Sequence, residues 1–122
     1  MFLKNCKDCK PVKLEKPTPG IQQRSLAHPK SDEIAIDFSL GHAFIESGQT
    51  FGPFRWNLST VLFIHRGVGS VTIENSVFQA KEGDVIFVPA HEKWESTNIG
   101  SQPLELMGIL NEPWEDQHAE EV

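Results

Sequence analysis

The sequence of 122 residues holds no tyrosine. No phenol is therefore on hand to act as a general acid. Cysteine is nearly as scarce, with only Cys6 and Cys9, so a disulfide framework cannot hold the chain together. No apolar run approaches the ~20 residues that a membrane-spanning helix requires. Basic charge is thin and gathers in the first thirty residues, and the formal net charge is -6. Such a balance leaves no electrostatic footprint for duplex nucleic acid. There is no G-x-S-x-G and no phosphate-cradling loop, and both cysteines lie far from any histidine that could activate them. The opening MFLKNCKDCK carries a charge every few residues and does not read as a signal peptide. The expected setting is the cytoplasm.

What is present is length for one domain and a pattern of period two. Residues 1–30 hold Pro11, Pro17, Pro19 and Pro29 and read as an N-terminal arm or an edge strand. From Ile34, the alternation Ile34, Ile36, Phe38, Leu40 predicts a half-buried strand, extended by HAFI and closed by a turn at ESGQ. VLFIH, residues 61–65, is apolar enough to be covered on both faces. SVTIEN and SVFQA predict a hairpin turning at Asn75-Ser76. DVIFVP is stopped by Pro89. PLELMGIL puts Leu104, Leu106 and Leu110 on one face and Met107 and Ile109 on the other. Seven or more short strands with regular turn signals predict an all-β sandwich or barrel. The domain is expected over residues 31–114, with Trp114 packing on the barrel or on a partner subunit, and is followed by an acidic tail at 115–122.

The stretch GDVIFVPAHEKWESTN, residues 83–98, resembles the second motif of the cupins, G-x5-P-x-G-x2-H-x3-N. Gly83, Pro89 and Asn98 are in register. His91 stands at the second glycine and Trp94 at the metal-binding histidine. The first motif, G-x5-H-x-H-x3-4-E-x6-G, fits from Gly48 to Gly67, with Phe54, Trp56 and Thr60 at its ligand positions. The chain thus resembles a small single-domain cupin of the mannose-6-phosphate-isomerase-like kind. That resemblance implies a cupin-type jelly-roll barrel of two antiparallel sheets. It also implies an enzyme of the sugar isomerase, epimerase or lyase type.

The ligand positions point elsewhere. A metal centre needs about three imidazole, carboxylate or thiolate donors, and Phe54, Trp56, Thr60 and Trp94 supply none. No metal and no cofactor is expected. Two readings stand open. The rings either plug the barrel as a structural or interaction module, or line a pocket for a small organic ligand such as a sugar. In the second reading Phe54, Trp56, Thr60, Trp94, Asn98 and His42 line the pocket, and the C–H face of a sugar stacks on tryptophan. His65 faces outward, opposite in parity to Thr60. His28 and His118 belong to the arm and the tail. Glu92 and Glu95 flank Trp94 and read as solvated carboxylates, with Glu92 a candidate acid or base at the mouth. Arg55 either meets an anionic group or pairs with a surface acid. Cys6 and Cys9 form a C-x-x-C, read as two reduced thiols on a mobile N-terminal arm or, more sharply, as half of a zinc site or a redox pair. The apolar strand VLFI and the proline-rich arm fit a homodimer, as small cupins commonly form.

Overall fold

The computed structural model describes residues 2–13 and 20–122. Ten strands form among them: β1 (Val12–Lys13), β2 (Gln22–Ala27), β3 (Ser39–Ile45), β4 (Thr50–Arg55), β5 (Thr60–Arg66), β6 (Val68–Ile73), β7 (Ser76–Lys81), β8 (Val85–Val88), β9 (Lys93–Asn98) and β10 (Leu104–Leu110). Short 3-10 turns at Cys6–Asp8 and Asp116–His118 are the helical segments of the described residues. No helix among them is long and apolar enough to cross a membrane. All pairings are antiparallel. One sheet runs β1-β2-β3-β10-β5-β8 and the other β4-β9-β6-β7. Facing each other, they make the jelly-roll barrel.

Period-two alternation decides which side chains meet in the middle. In β5, Thr60, Leu62 and Ile64 are buried, while Phe63 and His65 on the other face are exposed. Leu104 and Leu106 of β10, Ile86 and Val88 of β8, and Val71 and Trp94 of the second sheet close the core from both sides. The expectation that VLFIH is covered on both faces does not hold in the single chain, because Phe63 keeps 39% of its surface exposed. The outward parity of His65 is as expected.

The strand expected from Ile34 begins only at Ser39. Residues 34–38 spend their backbone groups locally: Asp32 N–H bonds His28 O, Ile34 N–H bonds Pro29 O, and Ile36 N–H bonds Ile34 O. No ladder forms there despite the alternation. Within β3 the inward residues are Ser39, Ala43 and Ile45, the opposite parity to the one the apolar run marked. The stretch expected as an arm or an edge strand supplies two strands, since β2 pairs with β3 and β1 forms the sheet edge. Pro17 and Pro19 lie outside the described residues. The β6–β7 hairpin turns at Glu74-Asn75, one residue early, with Glu74 at φ 51°. Gly67 joins β5 to β6 at φ 91°, where an added Cβ would sit 2.5 Å from the Pro103 carbonyl oxygen. Only glycine fits a corner that is both left-handed and pressed against another backbone.

Candidate functional site

Aromatic side chains mark one side of the barrel interior. Phe51 and Phe54 come from β4 and Trp94 from β9, whose register sets Phe54 opposite Trp94. Trp56 follows directly after β4. The ring centroids lie 4.7 Å apart for Phe51–Phe54, 5.2 Å for Phe54–Trp94, 5.3 Å for Trp56–Trp94 and 5.0 Å for Phe54–Trp56. The contacts are tilted or edge-on, the arrangement that ring quadrupoles prefer. Trp94 keeps 1% of its surface exposed and anchors the group.

The rings do not fill the barrel. A cavity of about 630 Å³ remains, walled by this cluster on one side and by Ala43, Leu62, Leu106 and Leu110 on the other. Two glycines form part of that wall. Gly41 of β3 and Gly108 of β10 are register partners, and both line the cavity. Where they pair, the wall is bare backbone. A Cβ at Gly108 would meet Leu62 Cδ2 at 3.6 Å and Thr60 Cγ2 at 3.9 Å, which is ordinary contact.

Five of the six residues expected at the pocket are brought together there: His42, Phe54, Trp56, Thr60 and Trp94. Asn98 is not. It is buried on β9, and its amide is consumed by backbone. Nδ2 donates to Ile45 O at 2.9 Å and to Gln102 O at 2.8 Å, while Oδ1 accepts from Gly100 N–H at 2.9 Å. Asn98 therefore clamps the loop between β9 and β10 to the end of β3. His42 lines the cavity, although its strand parity is opposite to that of Ala43 and Ile45. Its ring Nε2 bonds Glu105 Oε1 at 2.9 Å on the outer face of the sheet, where Glu105 also meets Arg66. Among the described residues, Thr60 Oγ1, Ser96 Oγ and His42 Nδ1 are buried without a hydrogen-bond partner.

Trp114, Asp116 and Ala119, all beyond β10, line the mouth. After β10 the chain returns across the opening as a strap. Trp114 stacks on Trp56 at 5.0 Å and meets His118 at 6.0 Å. Its backbone N–H bonds Ser39 Oγ at 3.0 Å, and its carbonyl faces the His28 ring nitrogen at 2.9 Å. Ala119 forms a bridge with Trp56. Asn57 N–H bonds His118 O, and Glu120 N–H bonds Arg55 O. Glu120 also reaches the His91 ring at 3.0 Å. Arg55 extends to the Glu121 carbonyl at 2.9 Å, so its charge serves the strap. The Lys30 ammonium donates to Glu115 at 2.6 Å. That bond, with a second from Gln117, holds the Glu115 carboxyl below its ordinary range. Of the two places the sequence allows for Trp114, the barrel or a partner subunit, the single chain shows the first, against Trp56 at the cavity. Glycine pairing in register and a returning tail leave no chemical signal in the sequence.

His91, at the position of a motif glycine, adopts φ 71°. Its N–H bonds Trp56 O at 2.7 Å, so the corner persists with the wrong residue in it. The arm is fixed beside this end by Asp32, whose carboxylate accepts from the Lys4 ammonium and from the His28 N–H. The Lys4 bond chiefly, helped by the His28 N–H, lowers its pKa from 3.8 against the opposing effect of burial.

The usual cupin metal does not fit this donor set. The four positions offer one hydroxyl and three rings. Among the described residues no group of three or more His, Cys, Asp or Glu side chains is disposed to hold an ion.

The family model described as the AraC-like ligand binding domain matches residues 39–119. The uncharacterized protein MJ1618 of Methanocaldococcus jannaschii is 28% identical over 98 residues, which span 80% of this chain and 78% of that protein. Solved structures share the fold, among them the following two. The polyketide cyclase RemF of Streptomyces resistomycificus superimposes with a TM-score of 0.79 at 16% identity, over 93% of this chain and 81% of that one. An RmlC-like cupin of Shewanella frigidimarina gives 0.76 at 13% identity, over 96% and 95%.

Proposed function

Because the chain belongs to the family of AraC-like ligand binding domains, we propose that its barrel binds a small organic molecule in the aromatic-lined cavity. One observation carries this reading. A cavity of about 630 Å³ falls within the roughly 300–1,000 Å³ of small-molecule sites. Its wall supports a ligand with a flat apolar face, laid against Phe54, Trp56 and Trp94 and facing the bare backbone of Gly41 and Gly108. A sugar meets that description through its C–H face, as do planar ring compounds. The hydroxyls and the amide that would orient it are those of Ser25, Ser31 and Gln23, which also line the cavity.

Titration of tryptophan emission with a panel of monosaccharides and small ring compounds tests the proposal. A saturable change is expected with at least one class, and Trp56→Ala should weaken it. Emission that stays flat across the whole panel, with no shift of the thermal midpoint, would overturn the reading.

We also infer that the chain pairs with a second copy through the outer face of β10, β5 and β8. Val61 lies opposite Phe87 and Ile109, and Phe63 opposite Val85 and Met107. Phe87 keeps 59% and Val85 67% of their surface exposed. Contiguous apolar exposure of this kind marks interaction surfaces. Light scattering should give twice the chain mass, falling to one with Phe87→Asp; a wild-type monomer would sink the inference.

A further inference from the structure

The arm holds a feature that the cavity does not use. Cys6 opens the 3-10 turn Cys6–Asp8 and Cys9 directly follows it. Asn5 caps the turn, its side chain accepting from Lys7 N–H at 2.9 Å. Cys9 N–H closes it onto Cys6 O at 3.1 Å. In 3-10 geometry residues i and i+3 eclipse, so both thiols leave from one side of the turn. A closed turn of this kind brings its end Cα atoms within about 7 Å, and a disulfide spans about 4.4–6.8 Å. Both cysteines are free and only partly covered. The turn is docked on the barrel, since Arg24 Nε donates to Cys9 O at 3.1 Å and Lys4 pairs with Asp32 at 2.9 Å.

We propose that Cys6 and Cys9 are a redox-active dithiol, which closes to an intrachain disulfide by exchange with small anionic disulfides of the glutathione type. A structural zinc wants about four donors, and no third donor joins the pair among the described residues. A disulfide needs only the two. The roles divide by contact. The Cys9 thiol turns back onto the Asn5 carbonyl at 3.6 Å, a contact that requires its proton. Cys6 is held by no such contact among the described residues, so it attacks first. Its thiolate displaces one thiolate from the small disulfide and forms a mixed disulfide. Cys9, on losing its proton, attacks the Cys6 sulfur and expels the second thiolate. Two thiols of the protein lose two electrons and two protons, and the small disulfide takes them up as two thiols.

Charge selects the partner. Lys4, Lys7, Lys10 and Lys13 stand against Asp8 alone in residues 2–13 of a chain whose net charge is -6. An anionic disulfide is steered to this basic arm more than a neutral one.

The test uses the reduced full chain and glutathione disulfide. Intact-mass analysis should show the loss of two hydrogens, release of two glutathione thiols per chain and no lasting adduct. Cys9→Ser should retain one glutathione on Cys6, and Cys6→Ser should react far more slowly. Neutral hydroxyethyl disulfide should react about tenfold more slowly at low salt, with the gap closing at high salt. A wild-type chain that keeps its adduct or cross-links to a second copy would overturn the proposal, as would equal rates for the two serine variants. Neither cysteine belongs to the core, and circular dichroism of the variants checks that the barrel is unchanged.

Discussion

Adding a single methyl group at Gly108 should stabilise the protein. The glycine sits mid-strand in β10, not at a left-handed position, and its missing Cβ would touch Leu62 Cδ2 at 3.6 Å and Thr60 Cγ2 at 3.9 Å. Gly108→Ala therefore restricts the unfolded chain, worth about 0.4–1 kcal/mol where the native backbone accepts alanine. It also buries a methyl against two side chains, worth up to ~0.8 kcal/mol. Together these give about 1–2 kcal/mol and raise the thermal midpoint by roughly 3–8 °C for a domain of this size. Gly67→Ala is the contrasting substitution. Its Cβ would fall 2.5 Å from Pro103 O and 3.0 Å from Leu104 Cα, both backbone atoms, at φ 91°. The left-handed strain alone costs about 1–2 kcal/mol, and relieving the overlap by moving β10 takes the loss to about 3 kcal/mol or more. Urea and thermal unfolding of both variants read these shifts directly. If Gly108→Ala destabilises by more than ~1 kcal/mol, the size of an overpacking penalty, then the space beside it is filled. The cavity argument would fall with it. A phenylalanine at the same position should occupy the cavity and abolish any ligand-induced change in tryptophan emission.

Asn98→Ala should cost about 3 kcal/mol in urea unfolding, because it strands the buried Ile45 carbonyl and frees the loop after β9; a loss under ~1 kcal/mol would show the clamp to be idle. His91→Gly should leave stability equal or higher. It relieves a left-handed side chain, at about 1 kcal/mol, and gives up a largely exposed pairing with Glu120 worth ~0–1 kcal/mol; a clear drop in thermal midpoint would contradict this. Asp32 has its pKa lowered from 3.8, chiefly by Lys4. Its contribution is therefore present above about pH 4 and is lost as pH falls through the lower folded value. The difference in thermal midpoint between wild type and Asp32→Asn should shrink below that point, and a constant difference across the acid range would refute the linkage.

Much of the barrel could be read in the sequence because burial on one face imposes alternation. β5, β6, β8 and β10 declared themselves in this way, and the glycine and proline skeleton around Gly67, Gly83 and Pro89 set the corners. β2 was hidden because QQRSLA joins the sheet through its backbone, with polar side chains. β4 is obscured as a strand by Gly52 and Pro53 in its middle. The alternation from Ile34 misled because the His28–Asp32 and Pro29–Ile34 bonds claim that backbone first. At the site, the aromatic residues at ligand positions were legible from motif spacing. Their mutual packing beside an open volume was not, since volume depends on what stands opposite, here Gly41 and Gly108. Asn98 looked like a pocket residue by motif, yet its amide answers backbone demands that only the folded loop creates.

The strap has a mechanical consequence. Its contacts to Ser39, Asn57, Trp56 and Arg55 fall one after another along residues 114–120, in series rather than side by side. A pull applied at Val122 would load them singly, as tape lifts from a surface, while the paired ladders of the two sheets bear almost none of the force. The entrance would yield to a small tension long before the barrel unravelled.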